Sequence, residues 1–143
     1  MESEFKLATA RSVEEWLKVM DDLNEIFETF TSVWSTPGWR DNLLRGWKRN
    51  WLGLATANCE ERAEELYNLF LGYLEQNQVK FCAVAVVNYR VHAFVAARFR
   101  YYDDAGELID GCRVFDPWFK IKVEDFPCSL VDSFILDGYG WIN

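Results

Sequence analysis

The chain has 143 residues, half of them apolar and 17% aromatic, which fits one domain built around one core and excludes disorder as its main state. Lys and Arg number 15 against 23 Asp and Glu, and the formal charge of −8 opposes nonspecific attraction to phosphate backbones or anionic lipid. Nucleic acid and membrane are therefore set aside as partners, and a single domain over residues 1–143 is expected. Met1-Glu2-Ser3-Glu4-Phe5-Lys6 has neither the basic stretch nor the apolar run of a secretory signal, and no run approaches the roughly 18 apolar residues that a spanning helix needs. A cytoplasmic location where the protein is made is expected, which leaves room for delivery into another cell.

From Ser12 to Phe30 the apolar residues Val13, Trp16, Leu17, Met20, Leu23, Phe27 and Phe30 recur at three- and four-residue steps, predicting an amphipathic helix. Ser12 and Glu15 have capping-box spacing at its start. Thr36-Pro37-Gly38 breaks that pattern, and a second helix is predicted from Pro37, with Trp39, Leu43, Leu44, Trp47 and Trp51 on one side. Its basic cluster of Arg40, Arg45, Lys48 and Arg49 reads as a solvated face rather than a docking patch. In a third helix Asn58 and Glu61 stand as N-cap and N3, which puts Cys59 at the first helical position, and Ala63, Leu66, Tyr67, Phe70, Tyr73 and Leu74 carry its apolar stripe.

From Lys80 the period changes. Phe81 to Val87 is a short apolar, partly β-branched run, the pattern of a strand buried on both faces. Val91 to Tyr102 is a second strand, Asp103-Asp104-Ala105-Gly106 a hairpin turn, and Leu108 to Phe115 a third strand with a bulge expected at Gly111. Helices come first (about 12–77) and strands second (about 80–123), so the fold class is α+β with a small antiparallel sheet. Beyond Pro117 only Ser129 to Leu136 reads as ordered.

Cys59, Cys82, Cys112 and Cys128 lie 23, 30 and 16 positions apart with no paired C-x-x-C, and one histidine adds at most one nitrogen ligand. Neither a structural zinc nor a dense disulfide framework is expected, nor any cofactor. Cys82 reads as core. Cys112 and Cys128 read as structural.

The sharpest chemical signal is the thiol of Cys59 at a helix start, where unsatisfied N–H groups and the helix dipole favour thiolate over thiol. Glu60 and Glu61 oppose that bias, so a cationic partner is wanted, and His92 is the chain's one imidazole. With the hairpin centred at Asp104, His92 lies directly opposite Asp116 on the neighbouring strand, and opposed residues share a face. Asp110 is the reserve acid if the hairpin slips. Each residue also has a structural reading: Cys59 as a small apolar group under a cap, His92 as a strand histidine with its bonds met, Asp116 as the turn residue before Pro117.

A Cys at a helix start followed by a His and an Asp on adjacent strands resembles the papain-like cysteine superfamily, and within it the transglutaminase-like and protein-glutaminase branch. The resemblance is carried by Cys59-Glu60-Glu61-Arg62-Ala63-Glu64-Glu65-Leu66, similar to that branch's C-x-x-R-A-x-x-L helix start, by His92-Ala93-Phe94-Val95 and by Phe115-Asp116-Pro117-Trp118. It implies a Cys59–His92–Asp116 catalytic triad: Cys59 the nucleophile, His92 the general base that then protonates the leaving group, and Asp116 the residue that orients the imidazole. It also implies a protein or peptide substrate attacked at an amide, preferably a glutamine side chain released as glutamate and ammonia. Proteolysis on the same triad and a catalytically inactive binding module are the alternatives, and a bacterial effector or toxin is a compatible setting. No Gln precedes Cys59 nearby, no Trp follows it, and Phe94 stands where relatives often have Trp, so only the Cys59 N–H is assigned as an oxyanion donor.

Overall fold

The computed structural model describes residues 6–32, 57–89 and 92–143. The helix expected from Pro37, with Trp39, Trp47, Trp51 and the basic cluster Arg40 to Arg49, lies outside the described residues. The elements run α1 (Val13–Ser32), α2 (Ala57–Gln76), β1 (Cys82–Tyr89), β2 (His92–Tyr102), β3 (Leu108–Asp116), β4 (Ile121–Phe126) and a short α3 (Cys128–Ser133). The four strands form an antiparallel meander in chain order, so the molecule is α+β as expected. Among the described residues no helix is long and apolar enough to cross a membrane.

At the start of α1 the Glu15 N–H donates to Ser12 Oγ and the Glu15 carboxylate accepts from the Arg11 N–H, which closes the capping box one residue further out than the simplest form. The buried stripe is Trp16, Val19, Met20, Leu23 and Phe27; Leu17, counted in the stripe from spacing, is instead largely exposed. On α2 the stripe Ala63, Leu66, Tyr67, Phe70 and Leu74 is buried as expected. The two helices join where Tyr73 donates to Asp22 at 2.5 Å. Both cover one face of the sheet, where Val84, Val86, Val95, Ala97, Phe99 and Phe115 complete the main core.

Cys82 to Val87 of β1 is buried throughout. The far face holds a second, smaller core in which Val87, Ala96, Cys112 and Val131 meet Phe94, Phe126, Ile135 and Trp141. The C-terminal segment also covers the outer edge of β1. Val84 exchanges backbone hydrogen bonds with Ile142, Val86 donates to Tyr139 and accepts from Leu136, and Asn88 donates to Phe134. This arrangement removes an exposed apolar sheet edge.

The β2–β3 register pairs Val95 with Phe115 and Phe99 with Gly111, two residues away from the expectation. The turn is centred on Ala105, not Asp104, because the Asp103 carboxylate accepts from the N–H groups of both Ala105 and Glu107 and Gly106 takes a φ of +80°. The bulge expected at Gly111 is also misplaced: Gly111 pairs regularly, and the irregularity lies between Cys112 and Val114 on the β4 side. Gly111 is needed for close approach, since a Cβ there would meet the Phe99 ring at 3.2 Å.

Candidate active site

The first turn of α2 lies over the end of the β1–β2 hairpin, where the Asn88 amide donates to Glu60 at 3.1 Å. The helix is described from Ala57, so Cys59 is not its first residue and Asn58 lies within it. Cys59 remains in the turn whose N–H groups have no acceptor within the helix. Its side chain is half-buried and free of any disulfide.

His92 opens β2, opposite Tyr89 of β1. The two-residue register change makes His92 and Asp116 diagonal neighbours instead of directly opposed residues. Side chains alternate with a period of two, so a slip of two keeps both on one face and within reach. His92 Nε2 and Asp116 Oδ2 are 2.5 Å apart. The other Asp116 oxygen accepts from the N–H groups of Trp118 and Phe119. That Asx-type turn, rigidified by Pro117, fixes the carboxylate.

Burial of the imidazole works against its charged form, but hydrogen bonds to Asp116 and to the Cys59 side chain, with the Coulombic attraction of both, outweigh it and raise His92 to about 9. Nε2 is occupied by Asp116, which leaves Nδ1 as the nitrogen for the sulfur. The structure thus brings Cys59, His92 and Asp116 together at one end of the sheet. At neutral pH the ring is an imidazolium, a cation set between the side chains of Asp116 and Cys59.

No protein-family model, curated protein or solved structure matches the chain.

The other candidates lie elsewhere. Asp110, the reserve acid, forms a two-point pair with Arg98 at 3.0 and 3.1 Å and also faces Arg100, so it is committed to the middle of the sheet. Cys82 is fully buried and its thiol is pushed up to about 12. Cys112 and Cys128 form a disulfide with Cα atoms 5.5 Å apart, joining β3 to α3. That pairing was not foreseen, because spacing alone does not give connectivity.

Three further side chains border the site: Phe94 and Arg62, which stand in the motifs quoted above, and Phe119, which carried no local signal in the sequence. The Phe94 and Phe119 rings lie 5.9 and 5.2 Å from the His92 ring and flank it with apolar surface. Arg62, one helical turn beyond Cys59, is buried with its guanidinium 4.5 Å from the Trp118 ring, which ties α2 to the turn that holds Asp116.

Proposed function

We propose that the protein is a thiol-dependent acyl-transfer enzyme of papain-like type that hydrolyses an amide through Cys59, with His92 as acid and base and Asp116 as the residue that holds the ring. The observation that carries this reading is the imidazole of His92 held on Asp116 at 2.5 Å and raised to about 9 by that carboxylate together with the neighbouring Cys59 side chain. In this reading the chain's one imidazole supplies the cation that a thiolate needs and the proton that an expelled amine needs.

Attack requires the sulfur as thiolate; an imidazolium beside it favours that form and already holds the proton that the leaving nitrogen needs. The sulfur adds to the amide carbon, and negative charge develops on the carbonyl oxygen, for which the Cys59 N–H is a donor. Collapse breaks the carbon–nitrogen bond as the imidazolium gives its proton to the leaving nitrogen. The neutral imidazole then takes a proton from water, which hydrolyses the thioester and regenerates the pair.

Deamidation of a protein glutamine is the preferred form, with ammonia as leaving group; main-chain cleavage uses the same atoms. The Cys112–Cys128 bridge is of a kind that persists in oxidising surroundings, which supports action after delivery out of the cytoplasm where the protein is made.

At pH 6 iodoacetamide is expected to label Cys59 far faster than the buried Cys82, with the labelling abolished in Cys59→Ala; slow, equal labelling would leave only the binding-module reading. Incubation with a glutamine-rich protein then separates the two reactions: ammonia without new chain termini indicates deamidation, and new termini indicate proteolysis.

A further inference from the structure

On the far face of the sheet, separated from the imidazole by the Phe94 ring, is an apolar cavity of about 490 Å³ lined by Val87, Tyr89, Phe94, Phe126, Leu130 and Phe134. Two of its walls belong to the site's own surroundings: Tyr89 is the cross-strand partner of His92, and the Phe94 ring is 5.9 Å from the His92 ring. The walls are fixed by edge-to-face aromatic contacts, Tyr89 with Phe134 at 4.7 Å and Phe94 with Phe126 at 6.3 Å. The disulfide that joins β3 to α3 anchors the helix carrying Leu130. The floor is closed by Val87, which is 2% exposed, whereas Tyr89, Leu130 and Phe134 at the mouth are 42, 48 and 37% exposed. A concave, apolar and mechanically fixed space that shares its Phe94 wall with the imidazole has the make-up of a specificity pocket.

We propose that this cavity receives an apolar side chain, aromatic or branched aliphatic, of the protein whose amide Cys59 attacks. The proposal rests on the reading of Cys59 as nucleophile and adds to it a preference for an apolar residue close to the amide. The volume suits one or two side chains. The net charge of −8 disfavours delivery of the same apolar chemistry from an anionic lipid surface.

The test compares three alkylating probes on the intact, disulfide-bonded protein: iodoacetamide, N-benzyliodoacetamide and N-(carboxymethyl)iodoacetamide. Iodoacetamide, which carries no apolar group, supplies the reference rate. The benzyl probe is expected to label Cys59 roughly tenfold faster relative to that reference, the preference one well-seated apolar group confers, and the carboxymethyl probe no faster. In Leu130→Gln the benzyl preference should fall toward one, and in Leu130→Met it should be kept, which separates loss of the apolar wall from general damage to α3. A benzyl preference near one with fast iodoacetamide labelling would overturn the pocket alone. Slow labelling by every probe would overturn the nucleophile reading and the pocket with it. Dodecanoate binding that depends on Leu130, without a benzyl preference, would make the cavity an acyl-chain site and also overturn the proposal.

Discussion

Both oxygens of Asp116 are committed, one to His92 and the other to the N–H groups of Trp118 and Phe119. An Asp116→Asn side chain that keeps its oxygen on those two donors must turn its NH₂ toward His92 Nε2. That reverses the tautomer and removes the negative charge that favours imidazolium. The chain has one histidine, so its titration is read by NMR without an assignment problem. The midpoint is expected at about 9 in the wild-type protein and should move down toward roughly 6.5 in Asp116→Asn. The same shift sets a stability profile. A folded-state value raised above the unfolded one contributes stability that is complete below about 6.5 and lost as pH rises through about 9. Urea unfolding across that window should show the wild-type protein losing on the order of 2 kcal/mol more than Asp116→Asn, a figure discounted for the partial exposure of the pair. A wild-type midpoint near 6.5 would remove the charged pair from the account.

At the scale of elements, β3 is held on three sides: by β2, by β4, and through Cys112 to α3. The bridge closes a loop of 16 residues' separation, for which loss of the cross-link costs about 3 kcal/mol. The paired variant Cys112→Ala/Cys128→Ala should therefore unfold at lower urea with a stability loss of about that size, and reduction of the wild-type protein should match it; an unchanged midpoint would show that α3 is held by packing alone. The bridge could not be read in advance, since any two of four cysteines were possible partners. β4 was missed for a different reason: nearly every residue from Ile121 to Phe126 is exposed, so neither alternation nor an apolar run marks it. α1, α2 and β1 to β3 were legible because each buries a face with its own period. The site was legible in composition and incomplete in geometry. The one His, the Asp before Pro117 and the Cys in a helix's first turn could be picked out along the chain, yet their mutual placement depended on a turn whose centre is set by the Asp103 side chain. A slip of one residue would have put His92 and Asp116 on opposite faces; the actual slip of two preserved the pairing. The cavity beside them was not legible at all, because its walls come from β1, β2, β4 and α3.

The whole molecule depends on a contact between its two most distant kinds of structure, a strand of the central core and the irregular end of the chain. β1 is the outermost strand of the meander, and its run Cys82-Ala83-Val84-Ala85-Val86-Val87 is apolar, partly β-branched and uncharged, the composition that pairs with other chains when an edge is open. Residues 134–142 occupy that edge, and Ile142, Tyr139, Leu136 and Phe134 satisfy the backbone groups of Val84, Val86 and Asn88. The segment is fixed further along its length: the Trp141 indole N–H donates to Asp132 at 2.7 Å, and the Asn143 amide donates to the Lys80 carbonyl at 3.1 Å. Removing residues 134–143 therefore leaves buried N–H and C=O groups unpaired on a hydrophobic strand, and a second copy of the same strand is a ready partner. The shortened protein is expected to elute as oligomers in size-exclusion chromatography and to bind thioflavin T, whereas the full chain at equal concentration does neither. The shortened protein, which loses Asp137 and so carries −7 in place of −8, repels its own copies at low salt, so the oligomers should grow as salt is raised to about 0.5 M and the Debye length contracts to a few ångströms. A shortened protein that stays monomeric at high salt would mean that the β1 edge is protected by something other than the segment laid along it.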